Sequence, residues 1–249
     1  MIFLLWMFVS PDRSVFAAES VPILRAVTSD VNYPYNFVRD GRVQGLSVDV
    51  ASELAKRLKM QLQTEVLPWT RALRTAQMEP NVLLFTVARI PEREAHYHWI
   101  GPVTTSEEWL YRLKRRGDVV VKSLDDAKRY LIGDEASNAS LPSFARLGIK
   151  VDTAPSMTSN CRKFKVGRVD LIPFDPDGIA VFVKECGLGE DEVEKTVQIP
   201  RDDALYFAFS KSSSPEFMRQ VRQAFAAMER DKTLQRLSTP WKGNSSKRP

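Results

Sequence analysis

The order of hydrophobic and polar residues along this chain predicts strands that alternate with helices. Residues 23–27 and 81–87 are short apolar runs rich in β-branched side chains, which are typical of strands in a covered sheet. Between them, Val50, Leu54 and Leu58 recur at helical spacing and predict a helix with one apolar face. Because strands and helices alternate, this part of the chain predicts an α/β unit with a parallel sheet.

A second unit begins with another predicted strand at residues 109–113. Ser123 and Asp126 have the spacing of a capping box, in which a serine caps a helix and a carboxylate three residues later returns a hydrogen bond. After Pro200 the chain offers a last strand, and a helix with one apolar face follows from Pro215. The further strands are predicted at residues 130–132, 170–174 and 204–209, and the further helices at 141–147, 159–166 and 178–185.

The first residues form a compact apolar block that is followed by small side chains. Residues 1–9 are hydrophobic, and Ala17 and Ala18 come a few residues later, as in a secretory signal with its cleavage site. The block is much shorter than the roughly 20 apolar residues needed to cross a bilayer. We therefore expect residues 1–18 to be a signal peptide, and the mature protein to be exported without stable insertion in a membrane.

The composition is that of a globular protein and argues against several functions. Of the 249 residues, 43% are hydrophobic and 27% are charged, and the net charge is +5. The basic residues are scattered and no nucleic-acid-binding motif accompanies them, so we expect no nucleic acid partner. His96 and His98 are the only histidines, and with two cysteines they are too few for a metal site. We expect neither a metal nor a cofactor.

The two cysteines, Cys161 and Cys186, flank the predicted strand at residues 170–174. Disulfides form and persist in exported proteins. The sequence gives no distance between the two residues, so a disulfide and two free thiols both remain open.

Two arginines, Arg89 and Arg93, follow the predicted strand at residues 81–87. Ligands of open α/β sheets bind at such strand ends. A guanidinium stays charged and presents two parallel donors to a carboxylate, so these residues predict a site for a small acid. The alternative is that both arginines form surface ion pairs with Glu92 and Glu94.

Several further motifs follow one another between about residue 23 and residue 241. They are the aromatic loop Tyr33-Pro34-Tyr35, the helix entry at residues 45–50, Pro91-Glu92-Arg93 with residues 99–102, the linker at residues 122–126, residues 167–170 and the segment 234–241. Each motif alone has little specificity, whereas their order and spacing together are specific. In this order they resemble the extracellular solute-binding proteins of family 3, the bilobed periplasmic receptors for amino acids.

The resemblance implies a two-lobed α/β fold of the periplasmic binding protein-like II type, in which each lobe is a mostly parallel sheet flanked by helices. One lobe would comprise residues 19–104 and 203–249 and the other residues 105–202, joined by two crossing hinge segments. A small-molecule ligand would lie in the cleft, and the lobes would close over it by a hinge motion. The resemblance also implies a periplasmic monomer that works with an ABC permease.

The resemblance assigns ligand-binding roles to residues of both lobes. Arg93 would hold the α-carboxylate of an amino acid, and Asp175 would hold its α-ammonium group. Trp69, at the start of a predicted helix, either stacks on the ligand or packs in the core. The other candidates are Tyr33 and Tyr35, which would cover the ligand, Phe85 and Thr86 at the strand end, and Ser137 and Asn138 in a loop of the second lobe.

The chain also departs from the family's pattern. Ala88 stands where a small hydroxyl residue is usual, residues 78–81 lack the usual glycine and aspartate, and Ser137 replaces a glycine. Arg89 is an additional basic residue, and it would carry a second anionic contact or replace Arg93 as the anchor.

Three functions follow from these residues. The first, which we expect, is a binding protein that captures a small polar ligand with a carboxylate, such as an amino acid, for ABC-type uptake or for sensing. The second is an enzyme on the same scaffold, a prephenate or arogenate dehydratase with Asp175 or Glu135 as general acid. No nucleophile–base pair supports an enzyme. The third is a sensory module that has kept the cleft and lost its ligand.

Overall fold

The computed structural model describes residues 21–202 and 204–241, so the signal peptide expected at residues 1–18 lies outside the described residues. In chain order the strands are β1 (Ile23–Thr28), β2 (Val31–Asn32), β3 (Asn36–Arg39), β4 (Arg42–Gln44), β5 (Gln61–Val66), β6 (Leu83–Ala88), β7 (Tyr97–Thr105), β8 (Trp109–Leu113), β9 (Leu131–Glu135), β10 (Lys150–Ala154), β11 (Leu171–Phe174), β12 (Val193–Gln198) and β13 (Ala204–Ser210). The helices are α1 (Leu46–Arg57), α2 (Trp69–Met78), α3 (Pro91–Glu94), α4 (Leu124–Ala127), α5 (Leu141–Leu147), α6 (Met157–Lys165), α7 (Ile179–Glu185), α8 (Pro215–Arg230) and α9 (Thr233–Ser238). None of the helices in these ranges has both the length and the apolar composition to cross a membrane.

Two five-stranded sheets form the two lobes, which confirms the two-lobed α/β fold. The first sheet has the strand order β5-β1-β6-β13-β7, and the second has the order β10-β9-β11-β8-β12. Each sheet has two parallel pairs and two antiparallel pairs, so the sheets are mixed rather than mostly parallel. The antiparallel pairs involve β13 and β8, which enter their sheets from the other lobe without the helical crossover that makes neighbouring strands parallel.

The chain passes from one sheet to the other twice. The first crossing connects β7 to β8 between Thr105 and Trp109, and the second connects β12 to β13 between Gln198 and Ala204. The two crossings lie next to each other, because the backbone N–H of Ile199 donates to the carbonyl of Glu108 at 2.8 Å.

Each lobe has its own hydrophobic core. Every residue of β6 is buried, as expected for a central strand. The apolar face of α1 is confirmed, since Val50 and Leu54 are fully buried, and α8 packs on the same core through Phe225. In the second lobe, α6 and α7 cover the sheet with Phe164 and Phe182. These cores fix the ends of β6, β9 and β11, where the candidate site lies.

The packing of α6 on α7 brings the two cysteines together. Cys161 lies in α6 and is buried, and Cys186 follows the last residue of α7. Their Cα atoms are 5.5 Å apart, within the range for a disulfide, and their sulfur atoms are paired.

We expect the exported protein to contain the Cys161–Cys186 disulfide. Thiol titration of the unfolded, non-reduced protein should find no free thiol, and reduction should release two. Because the cysteines are 25 residues apart, loss of the bridge should lower the free energy of unfolding by about 3 kcal/mol. Urea unfolding of the variant with both cysteines replaced by alanine measures this loss. Two reactive thiols before reduction would refute the bridge.

Candidate functional site

A cavity of about 110 Å³ lies between the two sheets. Strand ends from both lobes and both crossing segments contribute to its walls. The charged side chains that line it are Arg93, Arg201, Glu107, Glu108, Glu135 and Asp175. Because cations and carboxylates line one cavity, it is suited to a small molecule that carries both signs of charge.

Arg93 is buried at this cavity, with 8% of its surface exposed. It lies in α3, a single turn that begins with Pro91 just after β6, so the strand end and the helix start together position its side chain. Nη1 donates to the carbonyl of Ala88 at 3.1 Å, and Nη2 donates to the carbonyl of Ser137 in the second lobe at 2.6 Å. The guanidinium carbon lies 5.7 Å from the ring centre of Trp69.

No carboxylate in the described part of the chain forms an ion pair with Arg93. Its two acidic neighbours in sequence have other partners, since Glu94 pairs with Arg89 and Glu92 pairs with Arg146. Burial lowers the pKa of Arg93 to about 10, which leaves the side chain charged at neutral pH. A buried guanidinium without a counter-ion favours the entry of an anion.

Asp175 follows β11 and lines the same cavity. Its Oδ1 accepts the Asp177 backbone N–H at 2.7 Å, as in an Asx turn, so the local turn helps to fix the side chain. Its Oδ2 accepts the Ser106 hydroxyl at 2.6 Å and lies 3.1 Å from the Tyr35 hydroxyl. Burial raises the pKa of Asp175 to about 6, although these hydrogen bonds oppose the effect. At neutral pH the carboxylate can therefore accept hydrogen bonds from an ammonium group.

The crossing segments supply charged residues that the sequence analysis missed. Glu107 and Glu108 lie in the first crossing and Arg201 lies in the second, and all three line the cavity. Nη2 of Arg201 donates to the Ser106 carbonyl at 3.4 Å, and Nη1 lies 3.7 Å from Oε2 of Glu108. No hydrophobic periodicity marks these positions. The resemblance to a two-lobed fold was the one available signal, because both crossings of such a fold pass beside the cleft.

Glu135 ends β9 and lines the cavity from the second lobe. Sequence analysis named it only as a possible general acid. A backbone hydrogen bond from Trp69, at the start of α2, lowers its pKa. Burial, together with the Asp30 carboxylate, outweighs this effect and raises the pKa of Glu135 to about 8.

Trp69, Thr86 and Asn138 also line the cavity, where the resemblance placed them. Trp69 packs in the first-lobe core and also lines the cavity, and its stacking on a ligand stays a prediction. The Thr86 hydroxyl donates to the Ser47 hydroxyl. Asn138 Nδ2 donates to Oδ1 of the buried Asp134 at 2.7 Å. Hydrogen bonds therefore hold both polar side chains in place, and their contact with a ligand stays a prediction.

Arg89 does not reach the cavity. Its Nε and Nη2 donate to the carboxylate of Glu94 at 2.8 and 2.6 Å. Its guanidinium carbon also lies 5.6 Å from the ring centres of both Trp99 and Tyr206. Arg89 thus forms the surface ion pair that was the alternative for both arginines. The position of Arg89 does not support a second anionic contact with a ligand.

Phe85 and Tyr33 are not among the lining residues either. The Phe85 ring packs in the core, with its centre 5.9 Å from that of Phe207. The next residue, Thr86, lines the cavity instead. The Tyr33 ring packs on Phe37 at 5.1 Å. A direct ligand contact by either ring is therefore not supported.

Tyr35 and Ser137 lie behind the lining residues and act on them through hydrogen bonds. The Tyr35 hydroxyl contacts Asp175, and the Ser137 carbonyl accepts from Arg93. Ser137 has a φ of 67°, in the left-handed region that favours glycine. The loop therefore keeps the backbone shape that a glycine would allow, and the added hydroxyl lies 3.1 Å from that of Thr70.

Comparison with known proteins gives a family match over most of the chain. The sequence pattern of the bacterial extracellular solute-binding proteins, family 3, matches residues 24–244. The L-cystine-binding protein TcyA of Bacillus subtilis (strain 168) is 24% identical over 215 residues, which cover 85% of this chain and 77% of that protein. The L-cystine-binding protein TcyJ of Escherichia coli (strain K12) is 26% identical over 216 residues, which cover 84% of this chain and 79% of that protein.

A similar solved structure is an ancestral arginine-binding protein bound to arginine. Its TM-score is 0.75 at 20% sequence identity, and the superposition covers 89% of this chain and 98% of that one. At this identity the likeness establishes the two-lobed fold alone.

We expect Arg93→Ala to weaken the binding of a ligand carboxylate at least about a hundredfold, because the anion would lose its buried partner. Arg93→Lys should restore part of the affinity, since an ammonium group cannot reproduce the bidentate geometry. Arg89→Ala is the matched control, because it removes an arginine outside the cavity, and it should change the affinity less than about twofold. Calorimetry at fixed salt measures all three. Equal losses in Arg89→Ala and Arg93→Ala would contradict the assignment.

Proposed function

Because this chain belongs to the bacterial extracellular solute-binding proteins of family 3, we propose that it captures a small zwitterionic ligand, an α-amino acid, in the cavity between its lobes. The observation that carries the proposal is the buried Arg93, which lines the cavity without an ion-pair partner among the described residues. Asp175 lines the same cavity and offers the opposite charge. A free α-amino acid presents one carboxylate and one ammonium group, and so it matches both side chains.

In this proposal the two charged groups of the ligand bind to opposite lobes. The α-carboxylate accepts hydrogen bonds from the remaining N–H groups of Arg93, a geometry for which guanidinium is well suited. The α-ammonium group donates to Asp175, whose carboxylate is held in place by Ser106. The Thr70 hydroxyl, in the first lobe, donates to the carbonyl of Ala136 in the second at 3.2 Å, so the two lobes also contact each other directly.

We propose that the captured ligand is taken up or sensed outside the cytoplasmic membrane. The family is extracellular, and the relatives TcyA and TcyJ are named for binding L-cystine, which supports an amino-acid ligand. The mature chain, without residues 1–18, would be a periplasmic monomer that delivers its ligand to an ABC permease.

One observation favours the second candidate, a dehydratase. A general acid must be protonated before it acts, and the raised pKa of Glu135, about 8, meets this condition at neutral pH. The named relatives are binding proteins, however, and Arg93 with Asp175 accounts for a bound zwitterion without any chemical step. We therefore propose binding rather than catalysis.

We expect the purified mature protein to be stabilised by at least one free α-amino acid. A ligand at a hundred times its dissociation constant should raise the free energy of unfolding by about 2.7 kcal/mol. A thermal-shift screen against amino acids, small dicarboxylates and oligopeptides measures the effect. The N-acetyl derivative and the amide of the best ligand are matched controls and should give no shift, because each lacks one charge. Stabilisation by dicarboxylates alone, or release of phenylpyruvate from prephenate, would refute the proposal.

The affinity for a neutral amino acid should fall about tenfold between pH 7.5 and pH 5, because Asp175 binds the ammonium group in its ionised form. The pKa of Asp175 is about 6 in the free protein, so at pH 5 its carboxyl group is mostly protonated and no longer attracts the ammonium group. Asp175→Asn should bind weakly at both pH values, whereas Asp177→Asn, the same change at an exposed neighbour, should keep the pH dependence. Calorimetry with the best neutral ligand of the screen decides it, and a pH-independent affinity would exclude this role.

A further inference from the structure

Two of the carboxylates that line the cavity have side-chain partners within the protein. Glu108 accepts a hydrogen bond from the Ser140 hydroxyl and lies 3.7 Å from Arg201. Glu107 accepts the indole N–H of Trp109 at 2.9 Å. Their negative charge is therefore partly balanced without a ligand.

Glu135 lies among other carboxylates instead. Burial raises the pKa of both Glu135 and Glu185, and the Asp30 carboxylate of the first lobe adds to the effect in each case. Within residues 21–202 and 204–241, Asp30, Glu135 and Glu185 form no ion pair. Glu135 is thus an acidic group on the cavity wall that pairs with no protein cation in the part of the chain that the structure describes.

Glu135 nevertheless remains accessible to a ligand, because its side chain lines the cavity. Trp69 lines the same cavity, and its backbone N–H donates to the Glu135 carboxyl group. An aromatic residue therefore lies next to this acidic group. An aromatic ring and a carboxylate together favour a cation over a neutral polar group.

We propose that Glu135 selects amino acids that carry a second positively charged group, an ammonium or a guanidinium, at the end of the side chain. This inference rests on the proposed function, since Arg93 and Asp175 would hold the α-carboxylate and the α-ammonium group and leave the side chain for Glu135. The second cation supplies the charge that the protein lacks on this side of the cavity. A neutral side chain of the same shape can only share a hydrogen bond with the protonated acid and leaves Glu135 without an ionic partner.

The test compares ligands that differ only in this charge. L-Arginine and L-citrulline have similar shapes, and citrulline replaces the guanidinium with a neutral urea group. L-Lysine and L-norleucine form a second pair. We expect the parent protein to bind each cation at least about tenfold more tightly than its neutral counterpart, as measured by calorimetry at one pH and salt concentration.

Glu135→Gln should reduce the arginine-to-citrulline affinity ratio to less than about threefold, through weaker arginine binding with citrulline binding unchanged. Glu107→Gln is the matched control, because it removes the same charge from another wall of the cavity, and it should keep the ratio. Each ratio is measured within one protein, so a general loss of stability does not alter it.

The outcomes separate this inference from the proposed function. A ratio that Glu135→Gln leaves unchanged, or a parent protein that binds citrulline as tightly as arginine, would overturn the role of Glu135 and leave amino-acid capture intact. If the parent bound no amino acid of either pair and none in the wider screen, the proposed function would fail, and the inference with it.

Discussion

The burial of a charged guanidinium between the lobes is the constraint on which the rest of the site depends. Arg93 is 8% exposed, and burial of an unpaired charge costs several kcal/mol. The carbonyls of Ala88 and Ser137, one from each lobe, satisfy two of its N–H groups. A carbonyl offers only part of a negative charge, so these hydrogen bonds leave the charge itself uncompensated. An anion that enters the cavity compensates it, and for this reason closure of the lobes and binding of an anion stabilise each other.

Asp175, on the second lobe, is also held by a hydrogen bond from the other lobe. Asp175 belongs to the second lobe, yet its Oδ2 lies 3.1 Å from the hydroxyl of Tyr35, which belongs to the first. Ser106, in a crossing segment, donates to the same oxygen. Each charged group thus has one hydrogen-bond partner in its own lobe and one in the other. In the proposed binding cycle, separation of the lobes would remove the partner from the other lobe and admit water, which would weaken the field of both charges.

The periodic elements could be predicted from sequence: α2 begins at Trp69 as expected, and α5 (Leu141–Leu147) begins and ends where the pattern placed it. Three strands that the pattern did not predict, β7, β10 and β12, lie at the edges of their sheets. In β10 and β12, polar residues interrupt the apolar pattern. Arg93 and Asp175 could be found because they follow central strands. Arg201 could not, because a charged residue in a crossing segment looks like a surface residue until the other lobe covers it. The raised pKa of Glu135 could not be predicted either, because it depends on Asp30 and on the start of α2, which belong to the other lobe.

The cavity therefore contains carboxylates of the same chemical type that differ in their readiness to ionise. Burial raises the pKa of both groups. Three hydrogen-bond donors oppose this effect at Asp175, whose pKa is about 6, whereas Glu135 has one backbone donor and a like-charged neighbour, and its pKa is about 8. At neutral pH Asp175 is already ionised and can bind an ammonium group without losing a proton. A group near Glu135 must first displace a proton, and only a group that keeps its own positive charge gains enough from the resulting carboxylate to do so. The difference in pKa thus makes Glu135 a more selective partner than Asp175. A neutral polar side chain can form a hydrogen bond with the protonated acid, but it does not stabilise the carboxylate as a positively charged group does.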